Sequence, residues 1–263
     1  LVFVFFVWAI LVLIKNQPNM AGRSLTCVGF FVALLFLFLL HKLNLANIEF
    51  STQLKHAAPW FPIENLFPFF VTLSFSYIFV RCIDFARSCT WEEVPLIDPI
   101  SLMGYLMPFH MLLAGPVNSY DEHVQANGSP LSSMTPSKIL IIMNEITTGL
   151  FYKFVLAEGI RIYFYGLNGD ISAIGWFDPL LLVVYGFFDF AGYSRIARGI
   201  GLLYGIPTPI NFNAPFLAIS VTDFFTRWHI SMGQFVRRNL FTPIQLQVVR
   251  KVGVKRAVAA STV

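Results

Sequence analysis

Charged residues are scarce in this sequence. Asp, Glu, Lys and Arg make up 12% of the 263 residues, whereas an ordinary soluble domain carries about 25%. Hydrophobic residues account for 56%, and Phe alone occurs 29 times. Too little polar surface remains to cover a water-soluble globule, and a disordered chain needs the opposite composition. The composition therefore predicts an integral membrane protein.

Cysteine and metal-binding patterns are equally sparse. The three cysteines, Cys27, Cys82 and Cys89, are too few for a disulfide scaffold and lack ligand spacing, which favours small apolar packing roles. The sequence contains no HExxH or HxxxH pair, no Walker loop and no GxSxG elbow. These absences predict no metal site and no covalently bound cofactor.

Positive charge is concentrated in the last third of the chain. From Arg195 onward there are nine Lys or Arg residues and one acidic residue, Asp223. In a membrane protein such an excess predicts a cytoplasmic surface. The basic residues alternate with apolar runs rather than lining a soluble face, which argues against nucleic-acid binding.

Apolar runs and breakers predict an all-α membrane protein with about six to eight embedded helices. The runs cover residues 1–14, 24–40, 65–80, 99–120, 178–204 and 215–238. The fourth run contains Pro108 and Pro116 and is expected to be kinked, which is tolerated where protein or a water-filled cavity surrounds the backbone. Residues 44–62 are expected to form a re-entrant or surface connection.

Polar segments lie between and after these runs. Arg81, Asp84 and Arg87 are expected to end the third run, and residues 121–137 to form a loop in which Ser137 caps the next helix. That helix, at residues 138–165, carries too many polar groups for a lipid-facing span. The domain is expected to cover residues 1–244, with a basic tail at 245–263.

Ionisable residues within apolar helices are functional candidates by default. If residues 215–238 form one helix, Asp223 and Arg227 are four residues apart and can pair. His229 would then lie on the opposite face, beside Thr222, Thr226 and Gly233. A neutral imidazole facing a confined cavity can act as a general base toward an alcohol.

Each of these residues also has a structural interpretation. His229 could instead be a structural histidine that is hydrogen-bonded to a neighbouring helix. The amides of Asn211 and Asn213 could serve to cap the next helix and have no functional role. His110, in the kinked run, could line the same cavity. His41, His56 and His123 are expected to be solvated.

Several motifs together resemble the membrane-bound O-acyltransferase (MBOAT) family. They are FDFAGYS at residues 188–194, NFNAPF at 211–216 and RWHIS at 227–231, with AGPV at 114–117 upstream. The resemblance covers roughly residues 67–244. It is closest to the bacterial branch that includes alginate O-acetyltransferases and teichoic acid D-alanyl transfer proteins.

The resemblance implies a multi-helix MBOAT-like bundle with kinked and re-entrant helices around a tunnel. It implies transfer of an acyl group, expected to be acetyl, from a thioester donor to a hydroxyl. His229 matches the earlier of two family histidines and is assigned a catalytic role. The residues expected to support it or line the tunnel are Asp189, Tyr193, Asn211, Asn213, Asp223, Thr226, Arg227, Trp228 and Ser231.

The later family histidine, which carries the main acyl-transfer role, has no counterpart in the sequence. We therefore expect the chain to be truncated at its end and inactive by itself. Because Leu1 stands inside an apolar run, we expect truncation at the beginning as well. The expected co-substrate is acetyl-CoA or an acyl carrier protein thioester. The expected acceptor is an envelope polysaccharide or a partner acyltransferase on the outer side of a bacterial cytoplasmic membrane that the protein crosses several times.

Two other function classes remain open at this stage. A transporter or flippase would also have kinked spans and intramembrane ionisable residues. A non-catalytic membrane scaffold subunit would lack the later histidine altogether. Acyl transfer to a glycan in detergent, without a membrane gradient, separates a transporter from an enzyme, and a Trp-His pair encoded downstream of Val263 would argue against the scaffold.

Overall fold

The computed structural model describes residues 2–17, 20–42, 75–91, 95–126, 134–165, 178–206 and 208–252. This part of the chain is mostly helical, and an isolated antiparallel bridge between Phe212 and Trp228 is its only strand-like pairing. The described residues form two compact units. The predicted connection at 44–62 and the beginning of the third apolar run lie outside the described residues.

The first unit comprises Leu1–Gly115 and Ser119–Asn127. Its helices are α1 (Val2–Lys15), α2 (Met20–Lys42), α3 (Phe75–Trp91), α4 (Pro99–Leu106) and α5 (Tyr120–Ala126). Asp98 caps α4 by accepting hydrogen bonds from the backbone N–H groups of Ile100 and Ser101. Cys27, Cys82 and Cys89 are buried free thiols in its core, as their predicted packing role requires.

Two boundary predictions in this unit were wrong. The helix α3 continues through Arg81, Asp84 and Arg87, and the unit core accepts the buried side chains of Arg81 and Asp84. Buried Asp84 accepts hydrogen bonds from the Tyr120 backbone N–H (2.8 Å) and the Tyr105 hydroxyl (3.2 Å). The predicted loop at 121–137 begins instead with the helix α5, whose first residue is held by that contact.

The second unit comprises Pro116–Asn118 and Gly128–Val263. It contains one long helical segment made of α6 (Pro136–Phe151), a π-helical turn (Tyr152–Ala157) and α7 (Glu158–Tyr165). The long helix predicted at 138–165 is therefore confirmed. Its cap is Thr135, whose hydroxyl accepts from the Lys138 N–H at 3.3 Å, and not Ser137.

The helix α8 (Asp178–Leu203) packs antiparallel to this segment, since Asp189 lies beside Lys153 and Arg198 beside Glu145. The two helices approach closely at Gly149 and Gly192, where a Cβ atom on Gly192 would lie 2.8 Å from the Gly149 carbonyl oxygen. These are also the two helices of the described residues that are long and apolar enough to cross a membrane. Their outer faces expose large apolar side chains, as lipid contact requires.

Shorter elements follow α8. They are a 3₁₀ turn (Pro215–Leu217), α9 (Val221–Arg227), α10 (Ile230–Val236), a π-helical turn (Arg237–Phe241) and α11 (Thr242–Val252). The continuous helix predicted at 215–238 is wrong, and residues 245–252 of the predicted tail are helical. The predicted count of embedded helices and the tunnel stay predictions.

Candidate functional site

The helical backbone is broken at Trp228 and His229, between α9 and α10. Trp228 is extended and His229 has φ 45° and ψ 52°, in the left-handed region. Two backbone hydrogen bonds hold the break: Asn213 N–H to the Arg227 carbonyl (3.0 Å) and Ile230 N–H to the Asn211 carbonyl (2.9 Å). A non-glycine residue in this conformation costs about 1–2 kcal/mol, so the NFN segment constrains the histidine at some cost.

His229 faces a cavity of about 480 Å³. Its other lining residues are Phe225, Trp228, Met232, Gly233, Val236, Arg237 and Phe241. Gly233 is thus a neighbour of His229 as predicted. Thr222 and Thr226 do not line this cavity, because the break before His229 removes the helical register on which that prediction depended.

The imidazole of His229 packs against the ring of Phe190, and its Nδ1 atom has no hydrogen-bond partner among the described residues. Phe190 on α8 packs edge-on against it, with ring centroids 4.8 Å apart. The Nδ1 atom is buried and has no hydrogen-bond partner among the described residues. Burial lowers the pKa of His229 below its usual value, so the imidazole is neutral at pH 7. A neutral ring with a free nitrogen can accept a proton or a hydrogen bond.

An aromatic cluster supports the break from the other side. Trp228 stacks on Phe224 with ring centroids 5.4 Å apart and also contacts Phe187, Phe212 and Phe216. Because these rings come from α8, α9 and the segment between them, Trp228 holds three elements together. Trp228 therefore has a structural role in addition to lining the cavity.

A buried polar network anchors the same break. The Asn211 amide donates to the Ser194 hydroxyl at 3.1 Å, and the Ser231 hydroxyl donates to Asn211 Oδ1 at 2.5 Å. Ser231 in turn accepts from the Val117 backbone N–H at 3.0 Å. Asn211 is thus more than a helix cap: its carbonyl and its side chain fix the backbone that follows His229, at Ile230 and Ser231.

Asp223 and Arg227 form the predicted ion pair. Arg227 Nε donates to Asp223 Oδ1 at 2.8 Å, and this bond holds the pKa of Asp223 below its usual value. Asp223 also accepts from the Ile219 N–H, while the Thr226 hydroxyl donates to the Asp223 carbonyl. These residues stabilise α9, and Thr226 has its hydroxyl engaged within that helix.

Asp189 pairs with Lys153 across the contact between α8 and the π-helical turn, at 2.5 Å. Tyr193, one helical turn further along α8, is not among the residues that line the cavity beside His229. The π-helical turn is a common feature of functional segments, but here it serves to place Lys153 opposite Asp189.

A second cavity, of about 500 Å³, lies beside the NFN segment. It is lined by Glu145, Ala191, Ser194, Arg195, Arg198, Pro209, Ile210, Asn211, Phe212, Asn213, Ile230 and Gln234. Asn211 and Asn213 were predicted to line an interior. The charged residues Glu145, Arg195 and Arg198 were not singled out, although two arginines three residues apart on an apolar helix are a usable signal.

The remaining histidines belong to the first unit or to undescribed residues. His110 is buried after α4. His123, in α5, was predicted to be solvated; instead its ring packs against Tyr105 of α4, with ring centroids 5.4 Å apart. The side chains of His41 and His56 lie outside the described residues. Among described residues, no group of three or more His, Cys, Asp or Glu could hold a metal ion.

Curated bacterial proteins are similar to this chain, although no family model matches it. A teichoic acid D-alanyltransferase of Bacillus subtilis is 29% identical over 217 residues, which are 80% of this chain and 54% of that protein. A peptidoglycan O-acetyltransferase of Helicobacter pylori is 32% identical over 141 residues, or 52% of this chain and 27% of that protein.

A probable alginate O-acetylase AlgI of Pseudomonas aeruginosa is 30% identical over 176 residues, or 66% of this chain and 32% of that protein. The chain thus spans about half or less of the length of the curated relatives it matches. All three relatives are named for acyl transfer to a polymer, which is teichoic acid, peptidoglycan or alginate, and this confirms the predicted resemblance.

Proposed function

We propose, because this chain is homologous to bacterial members of the membrane-bound O-acyltransferase family, that the protein transfers an acyl group to a hydroxyl in the cell envelope. The donor is a thioester, acetyl-CoA or an acyl carrier protein, and the acyl group is acetyl. The acceptor is an envelope polysaccharide or a partner acyltransferase that passes the group on. Residues 1–244 form the transmembrane domain, which crosses the bacterial cytoplasmic membrane several times.

The observation that carries this proposal is the constrained His229 beside a largely apolar cavity. The acceptor oxygen attacks the thioester carbonyl, its proton passes to a base, and the C–S bond breaks to release the donor thiol. His229 assists by hydrogen bonding the acceptor hydroxyl or the thioester carbonyl through its free nitrogen. Asn211, Ser231 and Trp228 act through the backbone that holds His229, and the Asp223–Arg227 pair acts through α9.

Replacement of His229 separates the imidazole from the backbone strain. Asparagine tolerates the left-handed region but has no basic nitrogen. Alanine also has no basic nitrogen, and it is less tolerant of the left-handed region. We expect His229→Asn and His229→Ala to lower donor-dependent O-acylation by the full-length protein in membranes about 100-fold. The assay measures acyl transfer to envelope glycan, normalised to the amount of protein in the membrane.

Ala214 provides the matched control, because it is the other described non-glycine residue with φ 45°. We expect Ala214→Asn to retain wild-type activity, which shows that asparagine at a left-handed position does no harm by itself. Full activity of His229→Asn would contradict the role of the imidazole. Absence of transfer by wild-type protein in detergent with donor and acceptor present would contradict the proposed reaction.

The pH dependence of transfer gives a second test of His229. Because burial lowers its pKa, the neutral form that accepts a hydrogen bond persists below the usual pKa of about 6.5. We expect kcat/KM to be flat at pH 7 and to fall only at lower pH, as the ring becomes protonated. The residual activity of His229→Asn should lack this acid limb; an identical limb in that variant would assign it to another group.

A further inference from the structure

The second cavity contains a cluster of three charged side chains, which we name the Glu145 cluster: Glu145, Arg195 and Arg198. Glu145 lines the cavity and is 8% exposed. Arg198 Nη1 contacts Glu145 Oε1 at 2.5 Å, and Arg195 Nη1 contacts Oε2 at 3.3 Å. Two guanidinium groups therefore share one carboxylate, and the cluster carries a formal charge of +1.

One arginine in this cluster is only loosely held. The longer contact belongs to Arg195, whose side chain is 35% exposed, compared with 11% for Glu145. Its guanidinium carbon also lies 5.6 Å from the ring centroid of Tyr152, a contact that orients a guanidinium while leaving its N–H groups available. Asn213 and Gln234 add amide donors along the same cavity wall.

If the cluster only joined α6 to α8, one arginine would be enough to pair with Glu145. A second arginine beside a wide cavity leaves an uncompensated charge between two apolar helices, which is costly unless a counter-ion is present. The guanidinium group binds phosphate through paired N–H donors. The composition of the wall therefore fits an anion better than a neutral or cationic ligand.

The position of the cluster along α8 favours a phosphate group. Arg198 precedes the end of α8 at Leu203 by five residues, a rise of about 7.5 Å. If α8 crosses the bilayer, this distance places the arginines near the headgroup level at one membrane surface. Phosphate groups of lipids and of soluble carriers are both accessible at that level.

We propose that the cavity beside the NFN segment binds the phosphate group of a phosphate-bearing ligand, with Arg195 and Arg198 as donors and Glu145 as the resident counter-ion. The phosphate belongs to an anionic lipid headgroup or to a soluble phosphate carrier. The proposal does not rest on acyl transfer, since it concerns binding and is measured without turnover.

Three variants of the full-length protein in detergent test the proposal. For each one, Tm is measured as inorganic phosphate is added, and the rise in Tm gives the affinity for phosphate. Arg195→Gln removes the loosely held donor, and we expect phosphate to bind about tenfold more weakly. Glu145→Gln removes the competing anion, and we expect about tenfold tighter binding. A purely structural cluster would lower the starting Tm of both variants without changing phosphate affinity in opposite directions.

Arg161→Gln is the matched control, because Arg161 pairs with Glu158 on an exposed face of α7, outside both cavities. We expect this variant to bind phosphate with wild-type affinity. Equal affinity in wild type, Arg195→Gln and Glu145→Gln would overturn the proposal. So would equal weakening in Arg161→Gln and Arg195→Gln.

Two further pairs of probes identify the source of the phosphate. The lipid arm compares mixed micelles that contain phosphatidylglycerol with micelles that contain diacylglycerol. The soluble arm compares coenzyme A with pantetheine, which lacks phosphate. A rise in Tm for the phosphate-bearing member of either pair, lost in Arg195→Gln, supports the proposal and names the source. No rise in either arm overturns it.

Discussion

At the scale of residues, the position of His229 depends on a few buried hydrogen bonds rather than on the helix that carries its motif. Ser231 is 1% exposed and joins Asn211 to the Val117 backbone. We expect Ser231→Ala to lower the free energy of unfolding by about 1–3 kcal/mol, because Asn211 Oδ1 and the Val117 N–H then lose a partner in a buried site. Thermal unfolding in detergent measures the change.

Ser137 offers the matched serine for this comparison. It is exposed, and its hydroxyl contacts the Thr135 hydroxyl at 2.9 Å. We expect Ser137→Ala to change the free energy of unfolding by less than about 0.5 kcal/mol. Similar losses in both variants would show that the network around Asn211 adds no stability beyond an ordinary surface hydroxyl.

At the scale of elements, the contact between α6 and α8 depends on glycines, and Gly149 and Gly192 bring the two backbones together. A Cβ atom on Gly192 would lie 2.7 Å from the Lys153 backbone nitrogen and 2.8 Å from the Gly149 carbonyl oxygen. Backbone atoms cannot move aside cheaply, so we expect Gly192→Ala to cost about 1–3 kcal/mol of stability. Thermal unfolding, with the same detergent for each variant, measures the cost.

Gly186 lies on the same helix, and a Cβ atom there would meet nothing within 4 Å. Alanine is the better helix former, so we expect Gly186→Ala to raise stability by about 0.5–1 kcal/mol. The two variants should therefore move Tm in opposite directions. A rise in Tm for Gly192→Ala would mean that the helices are not in close contact at this point.

Sequence patterns predict those elements that depend on neighbouring residues. The helix at 138–165 and the Asp223–Arg227 pair both follow from local spacing, and both are confirmed. The break at Trp228 and His229 could not be predicted, because it depends on backbone hydrogen bonds to Asn211 and Asn213. Likewise, the pairing of Glu145 with Arg195 and Arg198 joins residues 50 and 53 positions apart.

At the scale of the whole molecule, the charges of the second unit predict an orientation in the membrane. Because α6 and α8 are antiparallel, Lys138 at the start of α6 lies at the same end of the helix pair as Arg195 and Arg198. Asp178 begins α8 at the opposite end. The positive-inside rule therefore predicts that the start of α6 and the end of α8 face the cytoplasm, if the helices cross the cytoplasmic membrane as proposed above.

Single cysteines test this orientation, and Cys27, Cys82 and Cys89 are buried and so give little background labelling. We expect a membrane-impermeant maleimide to label Pro179→Cys in intact spheroplasts and Ser137→Cys only after the membrane is permeabilised. Both residues are exposed, so accessibility differs only by side. The reverse pattern would contradict the orientation. Labelling of both from one side would show that α6 and α8 do not each cross the bilayer, and the headgroup position inferred for Arg198 would fail with it.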